Sequence, residues 1–184
     1  VTIPDGQVKQ LALLNAVHVP VTEELIFDPV HSDKEYLYYS EEEALKENVK
    51  VMIEFSNKKE YALGKALPKG KVKVYKKDAD GALQFLGEDK VDHMGPDQVV
   101  RLQMSDAFDI TGERSRTKVD KQFRMLQETF EITLNNKREE EIGVTVVEKL
   151  WRYSKWEILE SSDPWEKRND SFIEFHVKIP PKSE

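Results

Sequence analysis

Apolar and polar residues alternate with a period of two along most of the chain, the pattern of half-buried strands rather than of helices. The clearest stretch is 48–57, NVKVMIEFSN, with Val49, Val51, Ile53 and Phe55 on one face and Lys50, Met52, Glu54 and Ser56 on the other. Partial alternation over 7–19 predicts an earlier strand. A further strand restarts after Pro20 and stops at Pro29, since proline cannot donate to a strand ladder. Tyr36 to Tyr39 read as a short aromatic strand, and only Ser40 to Lys46 reads as helix, with Ser40 as N-cap and Glu43 three residues on.

Turn chemistry divides the rest. After the turn at 67–70, Val72 and Val74 share one face with Lys76, while Lys71, Lys73 and Tyr75 share the other. The Asp-Gly at 80–81 then predicts a hairpin onto 83–89. A strand over 98–104 follows the turn HMGPD. Over 119–134 the apolar face changes partway, predicting a bulge or a strand that passes between sheets, with a helix over 120–128 as the rival. Strands are expected over 130–136, 142–151, 155–162 and 171–181, with turns at 137–141 and 163–170. Turn signals at spacings of about 8–12 residues are those of a β-sandwich. VTIPDG at the start and VKIPPK at 177–182 share an outline. This echo leads to the expectation that a last strand is missing, leaving an edge covered by another chain or by the strand after Gly6.

Composition narrows the function classes. Lys and Arg number 28 against 35 Asp and Glu, a net charge of −7 over 184 residues, so a general nucleic-acid partner is not expected. With no cysteine, disulfides and thiolate metal sites are excluded. No apolar run approaches the roughly 18 residues of a membrane-spanning helix. Membrane insertion is therefore not expected, and no linker or low-complexity tract splits the chain.

Several strings carry a resemblance: Leu67-Pro68-x-Gly70, Phe85-x-Gly87-Glu88-Asp89, Asp106-Ala107-Phe108-Asp109, Glu113-Arg114, and Trp156-Glu157-Ile158 with Glu160-Ser161-Ser162. Together they resemble the bacterial domain of unknown function 4139, the C-terminal β-domain of many exported and mucoidy-inhibitor-like proteins, over most of the chain. The resemblance implies an immunoglobulin-like β-sandwich, export to the periplasm or cell surface, no assigned catalytic residues and no defined ligand. Relatives extend beyond the position of Glu184 and carry a shorter His-Thr-Pro turn where this chain has His93-Met94-Gly95-Pro96.

Candidate chemistry is concentrated in Glu88, Asp89, Asp92, Asp106, Asp109 and Glu113, with His93, Arg114 and Arg116. If the strands that carry them are neighbours, these groups meet at one end of the sandwich, where binding loops gather. The binding set is Glu88, Asp89, His93, Asp106, Asp109, Glu113 and Arg114, weighed against solvated loops and structural ion pairs. A hydrolase-like site at Asp89, His93, Asp106 and Asp109 is the catalytic alternative; it needs one carboxyl desolvated beside a pocket.

Metal and cofactor sites are not expected. His18, His31, His93 and His176 lack ligand spacing, and counting from Asp78 the loop DADG fails the calcium pattern, with Gly81 at the fourth position rather than the sixth. No dinucleotide, P-loop or nucleophile-elbow motif occurs. Trp151, Tyr153, Trp156 and Trp165 are read as core, with an exposed ring row that grips sugars or a partner as the alternative. The lysines at 69, 71, 73, 76 and 77 are read as guards of a hairpin edge, with anionic polymer binding as the rival.

The expectation is thus an all-β protein. Two packed antiparallel sheets, or two closely joined β-subdomains, span 1–118 and an immunoglobulin-like unit at 119–184. It is expected to be non-catalytic, a structural or protein- or polysaccharide-binding module of the cell envelope, able to oligomerise through an exposed strand edge.

Overall fold

The computed structural model describes residues 16, 18–29, 44–77, 80–123, 125–150 and 155–183. The strand expected at 36–39, nearly all of that at 7–19, and the edge-covering segment after Gly6 lie outside them. The described residues are nearly all β: β1 (Thr22–Phe27), β2 (Leu45–Ser56), β3 (Gly70–Lys77), β4 (Leu83–Val91), β5 (Val99–Gln122), β6 (Met125–Asn136), β7 (Ile142–Lys149), β8 (Trp165–Lys167) and β9 (Phe172–Ile179). The helical content among them is a single 3-10 turn, Lys59–Tyr61.

Seven strands form one sheet in the order β6-β5-β2-β1-β7-β9-β8, and β3-β4 form a separate hairpin. The sheet is mixed, which corrects the purely antiparallel expectation. β1 runs parallel to β7, with Ile26 opposite Thr145. That pairing joins segments more than a hundred residues apart, a distance over which local turn signals say nothing.

Three further expectations are corrected. Leu45 and Lys46 belong to β2 and pair with Arg114 and Glu113, so the short helix does not reach them; 40–43 lie outside the described residues. Cross-strand pairing outweighs the propensity of so short a helix. The face change near 119–134 is a hairpin. β5 runs on to Gln122, the chain turns at Phe123, and Gln122 pairs with Met125, which excludes the helix over 120–128. Residues 155–162 form no strand although they alternate; the strand beside β9 on its outer side is β8. β8 lies instead where a turn was expected.

A strand that changes partners does exist, earlier than predicted. Between the pairs Lys50–Asp106 and Asn48–Thr111, Val49 alone on β2 faces Ala107, Phe108, Asp109 and Ile110 on β5. This large bulge bends β5, so its first half lies beside β2 and its second half also carries β6.

Two cores result. In the first, Leu25, Phe27, Val49, Ile110, Val144, Val146 and Ile179 are buried, with Ile132, Leu134, Phe175 and Val177 packed on them. β6 and β9 stand far apart in the sheet order yet share this core, so the sheet curls over on itself. Phe27 is wholly buried, a burial that contributes roughly 1.5–3 kcal/mol. A Cβ on Gly112 would sit 2.2 Å from the Phe27 ring, so only glycine fits beneath it.

The second core seats the β3-β4 hairpin. Val72 and Val74 pack over Ile53, Val91, Val100, Leu102 and Met104. β4 crosses β5 closely: a Cβ on Gly87 would lie 2.3 Å from the Met104 carbonyl oxygen, and Asp89 Oδ2 accepts the Gln103 N–H at 2.8 Å. Gly87→Ala is expected to lift the hairpin and lose about 1–3 kcal/mol, read from urea midpoints and from faster amide exchange in β3 and β4. Parent-like stability and exchange would show that β4 is not seated this way. Nearby, the fully buried Asn57 donates to the carbonyls of Lys65 and Gly95, both at 2.8 Å, and accepts the Gly64 N–H at 2.9 Å. It locks the approach to β3.

Candidate functional site

The binding candidates divide between two places. Glu88, Asp89 and His93 belong to the β3-β4 hairpin and the chain just after it. Asp106, Asp109, Glu113 and Arg114 lie along β5 at and beyond its bulge. The placement follows from alternation along bent strands, and each side chain has a local task.

On the hairpin, Glu88 Oε1 accepts from Lys71 Nζ at 2.5 Å, and Oε2 lies 3.9 Å from Lys73 Nζ. The Lys71 hydrogen bond holds the Glu88 carboxyl below its ordinary range. Asp89 is spent on main chain, accepting the Lys90 N–H at 2.7 Å through Oδ1 in addition to Gln103 through Oδ2. His93 Nδ1 accepts the Lys69 N–H at 3.2 Å.

Along β5, Asp109 Oδ2 accepts from Arg138 Nε at 2.7 Å, and Glu113 meets Lys46 at 2.7 Å. The Arg138 hydrogen bond holds Asp109 below the usual carboxylate range. Its contribution to stability is full above the unfolded carboxylate pKa and is lost as pH falls through the lowered folded value. A general acid needs the opposite shift. Asp106 and Glu113 share an open polar groove with Lys46 and Lys50. His93 lines a different shallow depression, beside Asp92 and Arg101. Among the described residues no three His, Asp or Glu side chains are grouped to hold a metal ion.

Arg114 is placed differently. Ile110, Gly112 and Arg114 are successive inward positions of β5, and Val144, Val146 and Glu148 are their counterparts on β7. The guanidinium therefore points into the curled sheet. Its Nε lies 2.9 and 3.1 Å from the two Glu148 oxygens and its Nη2 also bonds Oε1, with 6% and 5% of the two residues exposed. The guanidinium carbon stacks 3.7 Å from the Phe130 ring centre. No ligand can reach it without opening the sheet.

Trp156 and Trp165 do not lie in the buried core. Trp156 meets Trp165 edge-on at 6.2 Å, and its Nε1–H donates to the Asp170 carbonyl at 2.8 Å. Trp165 is 37% exposed. This corner sits at the β8 rim of the sheet, while Trp151 and Tyr153 lie outside the described residues. Across the outer face, Thr145 Oγ1 donates to Glu24 Oε1 at 3.0 Å and lies 3.2 Å from His176 Nδ1. The hydroxyl stands between carboxylate and imidazole, which is not the order of a nucleophile relay.

What sequence reasoning missed is apolar surface on the hairpins. Phe123 is 96% exposed, Phe108 86%, Phe85 56% and Tyr75 49%, with Leu83, Met125 and Leu126 also exposed. One signal was present: Tyr75 falls on the wet face of its strand, with Lys71 and Lys73. No helix among the described residues is long and apolar enough to cross a membrane. Comparisons with protein families, with curated proteins and with solved structures return no match.

Proposed function

We propose that this chain is a non-catalytic, immunoglobulin-like β-sandwich module of an exported bacterial protein, of the kind found in domain of unknown function 4139. It acts by holding another protein or a polysaccharide in the cell envelope. The immunoglobulin-like unit is read as the strands after residue 119 together with β1, β2 and the second half of β5, which complete their sheet. The observation that carries the binding reading is the set of large exposed apolar side chains on hairpins and at the β5 bulge, with Tyr75 and Phe85 adjoining on one face. The carboxylates Glu88, Asp89, Asp109 and Glu113 are meanwhile held by lysines, arginines or main-chain N–H groups. For the hydrolase alternative at Asp89, His93, Asp106 and Asp109, the Arg138 hydrogen bond lowers the Asp109 carboxyl, the opposite of what a general acid needs.

Site-specific photo-crosslinking in bacteria tests this with the full-length protein. A photoreactive phenylalanine replaces Phe85, Phe108 or Phe123 in turn, with exposed Glu157 as control. Discrete adducts from one or more of the three positions and none from the control are expected. An absence of adducts at all three would overturn the reading.

A further inference from the structure

We infer that β3 is a docking edge, and that an extended acidic segment of another protein adds to it as a third strand of the β3-β4 sheet. This rests on the partner-binding reading above and names where and how the partner is held. Among the described residues β3 pairs with β4 alone, so every second residue along it directs its N–H and C=O away from the sheet. The edge is continuous. It contains no proline, and the register irregularity between Val74 and Tyr75 arises on β4, where Leu86 is the extra residue. Val72 and Val74 hold its inner face on the second core, so the strand is in place before any partner arrives.

The outer face states the chemistry. The register places Lys71 opposite Lys90, Lys73 opposite Glu88, Tyr75 opposite Phe85 and Lys77 opposite Leu83. Four lysines therefore share this face with one glutamate, on a chain whose net charge is −7. Among the described residues Lys77 and Lys90 make no ion pair. Tyr75 and Phe85 meet at a tilt of 59°, 5.4 Å between ring centres, and remain half exposed. Edge lysines alone also serve to repel other strands, but a guarded edge is usually short, bulged or interrupted and has no use for an exposed ring pair. An acidic strand presents side chains to one face about every 7 Å. It sets carboxylates beside Lys71 and Lys73, one apolar residue against Tyr75, and its own main chain on the free edge groups. A polysaccharide can use the lysines and rings but not the strand ladder.

Fluorescence anisotropy with the full chain tests the assignment. The probe is a labelled peptide alternating glutamate and valine, matched to the eight residues of β3. Two further versions are N-methylated at one or the other alternate set of residues, and a lysine-valine peptide and polygalacturonate serve as competitors. The glutamate peptide is expected to bind, and one N-methyl pattern to abolish binding while the other leaves it, because only one set of N–H groups faces β3. Lys73→Glu combined with Lys77→Glu should weaken binding by about tenfold or more. Neither the lysine-valine peptide nor polygalacturonate should displace the probe. No binding, equal tolerance of both methylation patterns, displacement by polygalacturonate, or self-association of the chain through β3 would each overturn the proposal. If the peptide fails while crosslinks form at Phe108 or Phe123, the partner-binding reading stands and this edge alone is rejected.

Discussion

Glu148→Ala is expected to destabilise the protein by about 3–5 kcal/mol, because it leaves the Arg114 guanidinium charged and enclosed with no carboxylate. Phe130 stays beneath the guanidinium, but one ring face does not replace the bidentate acceptor. The double variant Arg114→Met, Glu148→Leu should recover most of the loss, since an apolar pair of similar volume avoids the desolvation of both ions. Urea denaturation of the parent, Arg114→Met, Glu148→Leu and the double variant measures this as a double-mutant cycle, with Glu148→Ala measured beside it. A Glu148→Ala protein within about 1 kcal/mol of the parent would mean that Arg114 finds water at small cost, contrary to its burial.

Asn136→Ala is expected to cost at least about 3 kcal/mol, since its carboxamide serves several main-chain groups at once and each one left bare costs roughly 1–3 kcal/mol. Asn136 Nδ2 donates to the carbonyls of Glu140 and Pro180, both at 2.9 Å, with Ile179 sharing at 3.3 Å. Its Oδ1 accepts the Arg138 N–H at 2.9 Å. Its own main chain exchanges hydrogen bonds with Ser183 at 2.8 and 3.1 Å. The residue thus holds β6 to the end of β9 and keeps the sheet curled. Asn135→Ala, one position away beside the open groove, is the control and should change stability by no more than about 0.5 kcal/mol. Denaturation midpoints report the loss, and amide exchange at Arg138 and Ser183 reports where it falls. Equal effects from the two variants would show that the closure does not depend on this carboxamide.

Individual strands were legible where one face is buried and the other wet. The alternation over 48–57 places Val49 and Ile53 inside, as β2 does, and the Lys71–Tyr75 face of β3 is outside as read. Segment 155–162 has the same alternation but pairs with no strand among the described residues. Glu113 and Arg114 form a charged pair of neighbours that sequence reading treats alike. Glu113 meets Lys46 at the surface, whereas Arg114 faces inward to a partner 34 positions away. The hairpin and β5 candidates occupy different places because β5 bends at 107–110, and a sequence pattern does not reveal four residues facing one.

By itself, the sequence determined that this chain is built of extended segments, which side chains of most segments turn inward, and that β3 is basic on an acidic protein. Those properties follow from local sterics, the two-residue period of a strand and the count of charges. The tertiary structure alone decided that β1 lies parallel to β7, that Arg114 and Glu148 are sealed together, and that one sheet curls around most of the core. A period of two specifies which face is apolar but not which strand lies alongside, and a charge is desolvated only when a distant strand closes over it.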